Sequence, residues 1–234
     1  MTGTAREEAV LVLAHGVPLA GSLAVPEGAA GVVAFAHGSA GNRLGARNRQ
    51  VAAALRGAGL ATLLFDLMTA KEEELDRSTA HLRFNIDLLS HRLVGAVHWL
   101  LVHPRTRGLP VGVLGAGTGA AAAITAAARE PDRVSAVVSR GGRPDLAGID
   151  LARVRAPTLL IAGGADSEVL AGNRDALRAL TAASECRLEI VAGAGHLFEE
   201  PGALERVAEL ASSWLARHLA AADRPPLHDS GDPL

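Results

Sequence analysis

The segment Val111–Gly119, which reads VGVLGAGTG, has the residue types of a chemically important turn. It predicts a short apolar strand that runs into small residues, and the Ala-rich stretch 120–128 after it is typical of a helix. In a G-x-S-x-G turn of this kind, the middle Ser is held at a sharp strand-to-helix corner and attacks a carbonyl carbon. Here Gly117 occupies that middle position. The frame of the turn is present, and the nucleophilic hydroxyl is missing.

Two further residues follow later strands and complete an acid–base pair. Asp166 comes after Gly163-Gly164, and His196 comes after a Gly-Ala-Gly turn. The order of turn, acid and histidine along the chain is that of α/β-hydrolase triads, and each interval leaves room for a strand and a helix. Taken alone, Asp166 is also suited to closing a turn. With His196 downstream, an acid that orients a base is the favoured interpretation.

The elements that must position these residues alternate between strands and helices. The pattern predicts a single α/β domain over residues 1–220, with a mostly parallel sheet, an N-terminal antiparallel hairpin and helices on both faces. Predicted strands are 10–14, 19–25, 31–36, 61–65, 111–114, 134–139, 158–162 and 187–191. Predicted helices are 47–56, 81–102, 118–130, 169–181 and 201–218. Residues 66–77 are predicted to be irregular, and 221–234 to form a disordered tail.

The composition of the chain excludes several classes of binding partner. The chain has 234 residues, a net charge of −2 and 49% hydrophobic residues, which predicts a soluble protein with no affinity for nucleic acid or an anionic membrane. A single cysteine, Cys186, excludes an internal disulfide. The polar N-terminus lacks the pattern of a signal peptide, and no apolar run has the ~20 residues that span a bilayer. These features predict a cytoplasmic location.

Several motifs together resemble the dienelactone-hydrolase-like branch of the α/β-hydrolases. They are His37-Gly38-Ser39 with Arg47-Asn48-Arg49, Phe65-Asp66-Leu67, Ser139-Arg140-Gly141-Gly142-Arg143-Pro144-Asp145 and Gly195-His196-Leu197-Phe198-Glu199. The resemblance covers about residues 16–219. It implies the α/β-hydrolase fold, with Asp166 as the triad acid and His196 as the base. It also implies an oxyanion hole built from the backbone N–H groups of Ser39 and Thr118.

The resemblance further implies a small ester, lactone or other carbonyl compound as ligand, with no metal and no organic cofactor. Members of the family carry Ser at the turn, or Cys in the dienelactone hydrolases proper, so Gly117 departs from the family. Without that nucleophile, His196 can still activate a water molecule. Hydrolysis is therefore expected to be weak, water-mediated or lost. Alternatively, the pair Asp166–His196 serves a non-hydrolytic base reaction such as elimination or cyclisation. A third alternative is a catalytically inactive binding protein.

A rival interpretation comes from a different class of protein. Gly115-Ala116-Gly117-Thr118-Gly119-Ala120 also fits the dinucleotide fingerprint G-x-G-x-x-[GA], and Arg140 stands where a residue would meet the ribose phosphate of NADP. However, that fingerprint normally opens the first βαβ unit, whereas about four predicted strands precede it here. The NADP interpretation also leaves Asp166 and His196 without a role.

Overall fold

The computed structural model describes residues 6–38 and 43–222. Within this part of the chain, one sheet of eight strands forms the centre of the molecule. The strands are β1 (Glu7–Ala14), β2 (Val17–Ala24), β3 (Val32–Ala36), β4 (Ala61–Phe65), β5 (Val111–Ala116), β6 (Val134–Arg140), β7 (Thr158–Gly163) and β8 (Cys186–Val191). Their order across the sheet is β1-β2-β4-β3-β5-β6-β7-β8.

The sheet is parallel except at one edge. Strands β1 and β2 form an antiparallel hairpin, and β2 also pairs antiparallel with β4, while every pairing from β4 to β8 is parallel. The helices are α1 (Ala46–Gly57), α2 (Ala70–Thr79), α3 (Ile86–Val102), α4 (Thr118–Arg129), α5 (Ser167–Ala179) and α6 (Ala203–Ala221). Two 3₁₀ segments lie at Leu82–Phe84 and Pro144–Arg153. The predicted α/β-hydrolase fold with its leading hairpin is confirmed.

Both faces of the central strands are buried, which explains why these strands have no polar alternation. In β3, Val32 and Ala34 join a core with residues of α3, α4 and α5, whereas Val33 and Phe35 join a second core with residues of α1 and α6. The helices therefore form two layers around the sheet. Because the parallel strands all end at one edge, the loops after β3, β5, β6, β7 and β8 lie along the same rim.

Three parts of the predicted secondary structure are corrected. Residues 66–77 were predicted to be irregular, but α2 occupies most of this stretch. Thr69 and Glu72 form a reciprocal capping box that starts it, with the Thr69 hydroxyl bonded to the Glu72 N–H and the Glu72 carboxylate to the Thr69 N–H. The helix predicted over 81–102 is divided, because Asn85 caps α3 by accepting from Leu88 N at 3.0 Å. The 3₁₀ segment Pro144–Arg153 was not predicted.

The ends of the chain are only partly described. Helix α6 extends to Ala221, one residue into the predicted tail, and residues 223–234 lie outside the described part of the chain. The single domain over 1–220 stays a prediction. No helix in the described ranges combines the length and the apolar character required to cross a membrane.

Candidate active site

Gly117 forms the corner between β5 and α4. It has φ 55° and ψ −127°, a conformation that residues with a side chain adopt only under strain. Its carbonyl oxygen accepts from Ala120 N at 3.2 Å and from Arg143 N at 3.0 Å, which fixes the orientation of the turn. The strand-to-helix corner predicted from the sequence is therefore present. Glycine adopts the positive φ of this position without the strain that a side chain would cause.

The two flanking glycines allow very close packing. A Cβ atom on Gly119 would lie 2.1 Å from the Ala36 carbonyl oxygen, and one on Gly115 would lie 2.3 Å from the carbonyl oxygen of Gly119. Helix α4 therefore packs directly against the ends of β3 and β5. Backbone contact at this corner accounts for the spacing of the glycines, which also produces the match to the dinucleotide fingerprint.

Asp166 and His196 come together at the rim of the sheet. Asp166 is the N-cap of α5, and its Oδ1 accepts from Val169 N at 3.0 Å. Its Oδ2 lies 2.9 Å from His196 Nδ1. The carboxylate therefore has one oxygen bound to the helix and one bound to the imidazole. A proton on Nδ1 donates to Asp166, which makes Nε2 the basic nitrogen of a neutral His196.

The loop that carries His196 is anchored on three sides. Glu200 accepts from Gly195 N at 2.9 Å, and this hydrogen bond lowers the pKa of the Glu200 carboxyl. Phe198 is buried at φ 54°, a strained conformation that its packing in the core maintains. Gly141 lies so close that a Cβ there would be 2.2 Å from the His196 carbonyl oxygen. These contacts position the imidazole although 53% of its side chain is exposed.

Of the two predicted oxyanion-hole donors, Thr118 lies within the described part of the chain and Ser39 does not. Ser39 belongs to residues 39–42, which lie outside the described part of the chain. Thr118 is the first residue of α4, so its N–H has no acceptor within the helix and lies at the positive end of the helix dipole. The Thr118 hydroxyl is buried, and no residue in the described ranges forms a hydrogen bond with it. Its burial keeps this hydroxyl from acting as a nucleophile in the cleft.

These residues line a cleft of about 870 Å³ at the carboxyl ends of the strands. Gly117, Thr118, Asp166 and His196 all contribute to its walls, together with the first turn of α1 and the end of β6. The cleft is large enough for a small organic ligand. The structure thus places the predicted acid, base and vacant nucleophile position around one cavity.

Comparison with known proteins identifies the family. The model of the dienelactone hydrolase family matches residues 19–220. The chain belongs to this family. A crystal structure of dienelactone hydrolase from Anabaena variabilis is similar over 92% of this chain and 99% of that one, with 56% identity and a TM-score of 0.89. Est1E from Butyrivibrio proteoclasticus shares the fold, with a TM-score of 0.74 at 16% identity over 91% of this chain and 99% of that one.

Two curated relatives from Mycobacterium tuberculosis, strains CDC 1551 and H37Rv, bear the provisional name phosphoribosyl transferase. Each is 54% identical over 214 residues, which is 92% of this chain and 47% of the relative. The chain therefore spans about half the length of these relatives.

In this member of the dienelactone hydrolase family, His37 has a structural environment. It is buried, its Nε2 accepts from Leu67 N at 3.3 Å, and its Nδ1 lies 3.2 Å from the Gly38 carbonyl oxygen. Burial lowers the pKa of this imidazole. Asp145, which follows strand β6, forms a bidentate ion pair with Arg143. No group of three or more His, Cys, Asp or Glu residues within 6–38 and 43–222 is arranged to hold a metal ion.

One feature of the cleft was not recognised from the sequence. Arg140, considered only as a contact for NADP, ends β6 as a buried side chain on the cleft wall. Its Nη2 donates to Asn48 Oδ1 at 2.9 Å across 92 residues of sequence. No short-range pattern connects the two positions. The signal that was available is the location of Arg140 at the carboxyl end of a predicted parallel strand.

Proposed function

We propose that this chain acts on a small ester, lactone or other carbonyl compound, with His196 as general base and water in place of a side-chain nucleophile. Hydrolysis by this route is weak compared with that of a family member that carries Ser or Cys at the turn. The observation that carries the proposal is the 2.9 Å contact between His196 Nδ1 and Asp166 Oδ2 at the wall of the cleft. A protein that only binds a ligand has no need of an oriented base.

The chemistry follows from the groups around the cleft. Nε2 of His196 takes a proton from water while the water oxygen bonds to the carbonyl carbon. The resulting oxyanion accepts a hydrogen bond from the Thr118 N–H. The dipole of α4 strengthens this hydrogen bond. Collapse of the tetrahedral species breaks the bond to the alkoxide, which takes the proton back from His196. No acyl-enzyme forms, because Gly117 has no atom to carry the acyl group.

Family membership supports the carbonyl compound as ligand class, since the matched model is that of dienelactone hydrolases. Phosphoribosyl transfer, for which the M. tuberculosis relatives are named, is not part of this proposal. The chain covers 47% of their length, and the hydrolase model accounts for residues 19–220.

Turnover of activated esters and lactones in ¹⁸O-labelled water tests the proposal. We expect slow hydrolysis with one ¹⁸O atom in the acid product, and about a hundredfold or greater loss in His196→Ala, the lower range for general base catalysis. His91→Ala, which removes an exposed histidine outside the cleft lining, is the matched control and should retain the activity. Equal rates for the native protein and His196→Ala would remove His196 from the mechanism.

The same assay separates the alternatives. A product without ¹⁸O whose formation depends on His196 identifies an elimination or cyclisation. Ligand binding by calorimetry without any turnover identifies a binding protein. Quenching or enhancement of NADPH fluorescence on addition of the protein would favour the NADP interpretation instead.

A further inference from the structure

Arg140 is a buried cation for which the described chain provides no counter-charge. The side chain is 8% exposed, and no residue within 6–38 and 43–222 forms a hydrogen bond with its Nη1. Asn48 supplies a neutral amide oxygen to Nη2. Of the cleft-lining arginines in the described ranges, Arg47 pairs with Glu199 and Arg143 with Asp145, whereas Arg140 forms no ion pair with an acidic side chain.

The electrostatic surroundings increase this imbalance. Burial and the nearby charge of Arg47 lower the pKa of Arg140 to about 10, so the guanidinium is still charged at neutral pH. Burying a charge without a partner is costly, and such groups in proteins are normally paired or bind a ligand. The position therefore has an electrostatic cost that the interactions of the described residues do not offset.

The first turn of α1 adjoins Arg140 and is itself a donor site for anions. Its N-cap is Gly45, which has no side chain to bond the first N–H groups, and its first turn contains no acidic residue. Helix starts of this kind bind phosphate, because their first N–H groups have no acceptor within the helix and the helix dipole adds positive potential at the same place. Asn48 belongs to this turn and holds the Arg140 guanidinium against it.

We propose that the corner of the cleft formed by Arg140, Arg47 and the first turn of α1 binds the phosphate group of a ligand. The Arg140 guanidinium comes from the end of β6, and the Arg47 guanidinium and the N–H groups of the helix start come from α1. Donors from these two elements suit a tetrahedral dianion better than a planar carboxylate. The ion pair between Arg47 and Glu199 is exposed and therefore weak, so Arg47 can turn toward the ligand. In this proposal, the Arg140 side chain reorients when the ligand binds, so that Nη1 donates to a phosphate oxygen.

The corner lies in the cleft that His196 also lines, so the bound phosphate would belong to a ligand of this cleft. The assignment of that phosphate to a carbonyl substrate rests on the proposed function, whereas phosphate binding at the corner does not. A phosphorylated ester or lactone would then have its phosphate at α1 and its carbonyl carbon near His196.

Calorimetric titration with inorganic phosphate and phenyl phosphate at constant ionic strength tests the site. We expect saturable binding to the native protein and a loss of about tenfold or more in Arg140→Met, as for one charge-assisted hydrogen bond. Arg49→Gln, which removes the same charge from an exposed position of α1 outside the cleft lining, should bind as the native protein does. Benzoate should bind at least about tenfold more weakly than phenyl phosphate; equal affinity would overturn the phosphate assignment in favour of a carboxylate.

The stability of Arg140→Met separates ligand binding from a structural role. A residue retained for a ligand is replaceable by an apolar side chain without loss of stability, so the melting temperature should be unchanged or higher. If Arg140→Met does not fold, a structural role for Arg140 is supported, and Arg47→Gln is titrated with phosphate in its place. The proposal then fails unless Arg47→Gln weakens phosphate binding several-fold.

The two proposals are separately testable. If His196→Ala still binds phosphate and no turnover depends on His196, the proposed function alone is refuted. Turnover that depends on His196, in a protein that does not bind phosphate, would refute the site alone.

Discussion

Asp166 binds His196 with one carboxylate oxygen and caps helix α5 with the other. The distances are 2.9 Å from Oδ2 to His196 Nδ1 and 3.0 Å from Oδ1 to Val169 N. One side chain therefore orients the imidazole and caps the helix that begins at Ser167. The two roles respond differently to substitution, because the cap requires only an oxygen acceptor whereas the imidazole requires a negative charge.

Substitution of Asp166 should separate stability from base strength. Asp166→Asn keeps an amide oxygen for Val169 N, and Asn is as good an N-cap as Asp, so the free energy of unfolding should change little. The loss of the carboxylate should lower any His196-dependent turnover strongly, because the preferred tautomer of the imidazole changes. Asp166→Ala should lose the same turnover and in addition about 1 kcal/mol of stability. Chemical denaturation and turnover of the same preparations provide both measurements.

Much of the fold could be predicted because its signals are local. Short apolar runs without alternation mark strands such as β3 and β4, which both cores bury completely. The site could also be predicted in outline, since Asp166 and His196 each follow a strand of a parallel sheet and such strands end at a common rim.

The missed features have two physical causes. Helix α2 was overlooked because its acidic composition has little apolar periodicity, although the capping-box pattern from Thr69 to Glu72 was available. The Arg140–Asn48 hydrogen bond joins the end of β6 to the first turn of α1, which are far apart in sequence, so no local pattern encodes it. Charged residues in a cleft become interpretable only when their partners, or the absence of partners, are known in three dimensions.

The capping box of α2 should contribute measurably to stability. Thr69→Ala removes the hydroxyl that accepts from Glu72 N and should cost about 1 kcal/mol in the free energy of unfolding. Ser78→Ala is the matched control, because its hydroxyl is exposed near the other end of the same helix. That variant should remain within about 0.5 kcal/mol of the native protein. Equal effects of the two substitutions in urea denaturation would contradict the role of the cap.

His37 should make stability decrease in acid. Burial lowers its pKa in the folded state below the ordinary value of 6.5, so the unfolded chain binds a proton first as the pH falls. The contribution of neutral His37 is therefore present above pH 6.5 and is lost as the pH falls from there toward the folded pKa. The slope for one proton is at most about 1.4 kcal/mol per pH unit.

Urea denaturation between pH 8 and pH 5 measures this effect. His37→Gln keeps an acceptor for Leu67 N without a titrating group, so its stability should depend less on pH than that of the native protein. His81→Gln, which removes an exposed histidine, is the matched control. Parallel curves for the native protein and His37→Gln would show that His37 does not titrate on unfolding.

A hydroxyl at the corner should give the chain covalent catalysis. Gly117→Ser places a hydroxyl in the cleft that His196 also lines, at the position that the sequence pattern assigns to a nucleophile. The variant should hydrolyse an activated acetate ester and react with a fluorophosphonate probe. Because φ at this position is 55°, the substitution should also cost about 1–3 kcal/mol of stability.

Two control variants separate the hydroxyl from the backbone strain. Gly117→Ala has the same backbone strain without the hydroxyl, so it should be destabilised to a similar extent and should not be labelled. The double variant Gly117→Ser, His196→Ala should lose the labelling, since the serine then has no base. A folded Gly117→Ser protein that neither hydrolyses the ester nor reacts with the probe would show that Asp166 and His196 are not the acid and base of this site.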